Sequence, residues 1–129
     1  MEISLTAEQL EQLANIAKAA IPNESCAFLL GTNGTMIEIL PMRNADESQV
    51  SFSIEPQEVL HAYEHAESKR LQVVGIFHSH PARPAPSGTD RRFMEINPVV
   101  WLIYSTTEHT FKAYVYENDV VEVDVRITG

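Results

Sequence analysis

Two histidines two residues apart, His78 and His80, close the apolar run 73–77, and a carboxylate, Asp90, follows ten residues after the second. Neutral imidazole nitrogens and a carboxylate oxygen bind Zn²⁺ at ~2.0–2.2 Å. Three such ligands leave a fourth tetrahedral position for water, the open arrangement of a catalytic rather than a structural zinc. Ser87, three residues before Asp90, adds a hydroxyl, but a hydroxyl and a carboxylate at this spacing also form the box that opens a helix. Asp90 therefore carries two expectations, metal ligand and helix cap.

Other reactive side chains form weaker patterns. His61-Ala62-Tyr63-Glu64-His65 has the H-x-x-E-H form of an inverted zinc motif, and on a helix its two histidines share a face. No third protein ligand stands out for it. The surrounding Glu58, Glu64, Glu67, Lys69 and Arg70 favour a solvent-facing helix. Cys26 lies inside an apolar run and reads as a small core residue rather than a nucleophile. Trp101 reads as core, and His109, Arg91 and Arg92 as surface.

The histidines need a strand to converge, because residues i and i+2 of a strand face the same side. The run 72–80 supplies it, and Pro81 biases His80 to an extended backbone. The loop 81–86 holds Pro81, Pro84 and Pro86, which lack amide donors, so it belongs to neither helix nor sheet interior. Ser87 then begins a short helix ending by Asn97-Pro98.

Around this centre, Ile3 and Leu5 alternate with polar neighbours in a short edge strand or lead-in. Thr6-Ala7-Glu8-Gln9 is a capping box before an amphipathic helix with Leu10, Leu13, Ala14, Ala17, Ala20 and Ile21 at helical spacing, stopped by Pro22. Residues 25–31 read as a strand buried on both faces, and Asn33-Gly34 as a hairpin turn into a strand over 36–40. A strand follows over 50–54. Pro56 then opens a second helix, over about residues 57–70, turning Val59, Leu60, Tyr63 and Leu71 to the core. Strands over 99–104, 111–116 and 120–127 complete the chain, the last two as an antiparallel closing pair. The sum is an α/β (α+β) sandwich, a mixed sheet of six to eight strands flanked by two long helices and one short one.

A length of 129 residues with 44% hydrophobic content fits one domain over 1–129. The net charge of −9 repels phosphate backbones and argues against nucleic-acid binding. No apolar run is long enough for a membrane span, and Glu2, Glu8 and Glu11 interrupt any signal-peptide pattern. The single cysteine excludes an internal disulfide and suits a reducing, cytoplasmic setting.

Glu24 before a buried strand, His78-Ser79-His80-Pro81 and Ser87-x-x-Asp90 together resemble the JAMM (MPN+) zinc metallopeptidases, especially compact archaeal members related to the proteasome-lid deubiquitinase. The resemblance spans nearly the whole chain and implies a JAMM/MPN-like, cytidine-deaminase-like sheet. It implies Zn²⁺ held by His78, His80 and Asp90, with Glu24 as general acid/base and Ser87 steadying the oxyanion. The implied activity is removal of ubiquitin or a ubiquitin-like modifier from conjugates, with β-grasp proteins as partners and proteasome association. Two alternatives stand beside it: processing of a sulfur-carrier protein's C-terminal tail or adduct, and a non-catalytic scaffold. The loop of six residues between His80 and Ser87 is one shorter than the family's usual spacing, which makes the reach of Asp90 the point to check.

Overall fold

A computed structural model describes residues 2–48 and 53–128. The elements run β1 (Ile3–Thr6), α1 (Ala7–Ala20), β2 (Cys26–Thr32), β3 (Thr35–Met42), α2 (Pro56–Ser68), β4 (Gln72–His80), α3 (Gly88–Ile96), β5 (Val100–Ser105), β6 (Phe111–Tyr116), β7 (Val120–Val123) and β8 (Val125–Thr128). The expected strand over 50–54 falls at 50–52 outside the described residues, and Ser53 and Ile54 lie in no strand. None of the described helices is long and apolar enough to cross a membrane.

The strands form one mixed sheet in the order β7-β6-β5-β4-β2-β3-β1-β8. Two expectations change here. β1 is interior, paired in parallel with β8 along its length and with β3 at Ser4 and Thr35. The expected single strand over 120–127 is two, broken at Asp124, because β7 continues the hairpin with β6 while β8 joins the opposite end of the sheet. The sheet therefore curls until its ends meet, and the Ile3 amide donates to the Asp124 carbonyl at 3.3 Å.

The pleat explains the two cores. Ala27, Leu29, Phe77 and Leu102 face one side with Leu13 and Ala17 of α1. Cys26, Phe28, Leu30, Ile76, Trp101 and Ile103 face the other, against Ala62 and Ala66 of α2 and Met94 of α3. The small alanines, not Leu60 or Tyr63, bring α2 onto the sheet; Leu60 and Tyr63 are exposed, although Tyr63 packs edge-on against Phe28. α1 begins with the expected capping box, Thr6 and Gln9 exchanging side chain and amide.

The β2–β3 hairpin turns at Asn33 and Gly34, both with positive φ, as a tight hairpin of right-handed strands requires. Gly31 is needed for a different reason. A Cβ there would lie 1.8 Å from the Thr35 carbonyl oxygen, where the β2–β3 register shifts.

Candidate active site

The site forms where β2 begins and β4 ends. Antiparallel pairing sets Cys26 opposite His78, which carries Glu24 to the level of His80. A serine pair locks that register: the Ser79 amide donates to the Ser25 carbonyl at 3.1 Å, the Ser25 amide to Ser79 Oγ at 3.0 Å, and the two hydroxyls meet at 2.8 Å. The Glu24 main chain is held on both sides, its amide donating to the Ser48 carbonyl at 2.7 Å and its carbonyl accepting from Asn44 Nδ2 at 3.0 Å. β4 is fixed from its other flank, where the Thr106 amide donates to the His80 carbonyl at 2.9 Å.

Pleating places His78 and His80 on the Ile76 face, their rings 4.5 Å apart and nearly perpendicular. Trp101 of β5 meets the His78 ring edge-on at 5.7 Å. The loop 81–86 then delivers Ser87 as the cap of α3, its Oγ accepting the Asp90 amide at 3.2 Å. Asp90 Oδ2 accepts the Ser87 amide at 2.8 Å, and the same oxygen lies 3.1 Å from His80 Nε2 and 3.5 Å from His78 Nε2. The expected helix cap is therefore formed, and the six-residue loop also brings the same carboxylate against both imidazoles. Glu24 completes the ring, Oε1 at 3.8 Å from His78 Nδ1 and Oε2 at 3.9 Å from His80 Nε2.

These groups are withdrawn from solvent: His78 is 0%, Asp90 2%, Glu24 4% and His80 6% exposed. Burial opposes a charged His80, but the hydrogen bond and charge of Asp90, the charge of Glu24 and a hydrogen bond to the Arg83 main chain together raise its pKa. Burial likewise opposes the Asp90 carboxylate. Its bond to His80, the charge of His78 and the Ser87 amide outweigh that and hold its pKa below the usual range.

The donor set fits a metal. Ligand atoms of Glu24, His78 and His80 all lie within 4.8 Å of one another, and Glu24 Oε1 is buried without a hydrogen-bond partner. Tetrahedral ligands at ~2.0–2.1 Å from a zinc stand about 3.3 Å apart. The separations of Asp90 Oδ2 from the two Nε2 atoms bracket that value. Beside the site a cleft of about 370 Å³ is lined by Glu24, His80, Arg83, Pro86 and Ser87 among others. Glu24 and Ser87 therefore line a common cleft.

The rival helix pattern comes apart. His65 Nε2 meets Glu38 Oε2 at 2.7 Å, an oxygen pair completed by Lys69 Nζ on Oε1 at 2.9 Å, whereas His61 is exposed. Cys26 is buried, and burial with the nearby charges of Glu58 and Glu24 pushes its thiol up to about 12. Sequence patterns did not single out Asn44, whose side-chain amide donates to the Glu24 carbonyl, or Ser25, whose amide and hydroxyl meet Ser79. Their partners lie far along the chain, and no local spacing signals such contacts.

Residues 6–116 match the family described as prokaryotic homologs of the JAB domain. The chain is 41% identical over 105 residues to the desampylase of Pyrococcus furiosus, covering 79% of this chain and 74% of that one. It is 32% identical over 111 residues to the desampylase of Haloferax volcanii, covering 80% of each. A solution structure from Desulfitobacterium hafniense superposes with a TM-score of 0.85 at 32% identity, covering 99% of this chain and 93% of that one. With the histidine strand, the capped helix and the buried glutamate inside the matched span, the chain belongs to the JAB/MPN (JAMM) domain family, in its compact prokaryotic form.

Proposed function

We propose that this chain is a zinc-dependent isopeptidase that hydrolyses the amide bond between the C-terminus of a ubiquitin-like modifier and the amine to which it is joined. One observation carries the proposal: a single oxygen, Asp90 Oδ2, approaches the Nε2 atoms of both His78 and His80, at 3.5 and 3.1 Å, with the buried Glu24 beside the same two rings. The name desampylase, shared by relatives at 41% and 32% identity, supports the substrate class.

His78, His80 and Asp90 would hold the ion, a donor set that suits zinc. When bound, zinc would supply Lewis acidity, which lowers the pKa of water to ~7 and polarises a carbonyl. Glu24 takes the proton of the attacking water and returns it to the leaving nitrogen as the C–O bond forms and the C–N bond breaks. Its main chain, pinned to Ser48 and Asn44, keeps the carboxylate aimed throughout. Ser87 Oγ already accepts the Asp90 amide, so its own hydrogen is available to the carbonyl oxygen as negative charge grows there. The modifier's extended tail binds through main-chain hydrogen bonds, which demand little of side-chain identity.

The test is a lysine-linked conjugate of a ubiquitin-like protein incubated with zinc-loaded protein, with chelator-treated protein, and with treated protein given zinc again. Cleavage, loss and restoration are expected in that order. Undiminished cleavage after chelation sinks the proposal.

A further inference from the structure

Tyr114 lies on β6, two strands from the histidines, and takes no part in the chemistry proposed above. Its ring is 9% exposed and packs with Trp101 and Ile103 in the second core. Its hydroxyl leaves that core and donates to the Pro84 carbonyl at 2.8 Å, a buried bond. Pro84 is the buried midpoint of the loop between His80 and Ser87. The carbonyl of the preceding residue, Arg83, accepts the Ala85 amide at 2.8 Å, a tight turn within the loop. Three residues after Pro84 the chain becomes the Ser87 cap that aims Asp90.

We infer that Tyr114 is a positioning residue for the metal centre, its hydroxyl fixing through the Pro84 carbonyl the loop that delivers Ser87 and Asp90. The loop itself makes this necessary. Pro81, Pro84 and Pro86 have no amide hydrogens, so the segment cannot anchor itself by strand or helix pairing. A phenol reaching in from a neighbouring strand supplies a rigid donor instead. Outer partners hold metal ligands in place, so loosening the loop at Pro84 would shift Asp90 from the two imidazoles it meets at 3.1 and 3.5 Å. The inference rests on the metal site proposed above.

Tyr114→Phe removes the hydroxyl and keeps the ring, and Tyr116→Phe on the same strand serves as the control. Zinc affinity is measured by competition with a chromophoric chelator, alongside kcat, KM and melting temperature. Tyr114→Phe is expected to bind zinc about 10-fold or more weakly, the range for a lost outer partner. It should lower kcat while leaving KM in place, and Tyr116→Phe should do neither. A Tyr114→Phe protein that melts lower but keeps wild-type zinc affinity and kcat overturns the inference, leaving the hydroxyl a purely structural role. A wild type that binds no zinc overturns the metal proposal and this inference with it.

Discussion

Asp90 does two jobs with one oxygen, and two substitutions separate them. Asp90→Asn keeps an amide oxygen that can accept the Ser87 amide, now 2.8 Å from Oδ2, while removing the charge. Asp90→Ala removes both. Both variants lose the charge that faces His78 and His80 at 3.5 and 3.1 Å, and only Asp90→Asn keeps an oxygen there, so without metal the two differ by at least one half of the capping box of α3. Losing a cap costs about 1 kcal/mol. In a chain of 129 residues that corresponds to roughly 3–5 °C. Calorimetric melts in chelator should therefore place Asp90→Asn above Asp90→Ala by that interval, and zinc titration should find both defective. Equal melting temperatures would refute the capping role, and wild-type zinc affinity in Asp90→Asn would refute the need for the charge.

Gly31→Ala should destabilise the fold by more than the ~1–3 kcal/mol typical of overpacking, since the new Cβ meets backbone 1.8 Å away; a near-wild-type denaturation midpoint would contradict this. Cys26, buried and with its pKa pushed up to about 12, should resist thiol reagents at pH 8 until the protein is unfolded, and rapid native labelling would contradict that burial. The hydrogen bonds from Lys69 and His65 hold the Glu38 pKa below 4.5, so their stabilisation is complete above that value and fades as pH falls through the folded pKa. On this partly exposed surface it amounts to at most ~1 kcal/mol. The melting difference between wild type and Glu38→Gln should persist at pH 6 and shrink as pH falls below the usual carboxylate range; a difference unchanged in strong acid would rule out the ion pair as its source. His61→Ala should leave zinc content at the wild-type level, and a loss would move the metal to α2.

Local patterns located most elements because their signals are local: the capping boxes at Thr6 and Ser87, the Asn33-Gly34 turn, and the two-residue period that joins His78 to His80. Long-range pairing leaves no such local mark. β1 looks like an edge strand because its few residues carry no mark of which neighbours flank them. The break at Asp124 is invisible for the same reason: Val120–Val123 and Val125–Thr128 read as one strand until the curled sheet assigns them to opposite ends. On α2, Leu60 and Tyr63 outrank Ala62 and Ala66 in apolar area, yet close helix–sheet approach selects the alanines. At the candidate site, the spacing of His78, His80 and Asp90 is legible in the sequence, and Glu24 enters only through family resemblance; the structure brings all four side chains together. The contacts from Ser25, Asn44 and Tyr114 depend on neighbours that only the folded sheet brings together.

Glu24 stands close enough to both histidines to be a fourth ligand as well as a proton carrier, which makes it the decisive residue. The direct measurement is turnover per bound zinc in Glu24→Gln against a lysine-linked modifier conjugate. A protein that keeps one zinc and loses hydrolysis is the predicted result. Turnover per zinc equal to wild type, or loss of the zinc itself, would contradict the role of Glu24 as acid and base beside a His78–His80–Asp90 metal.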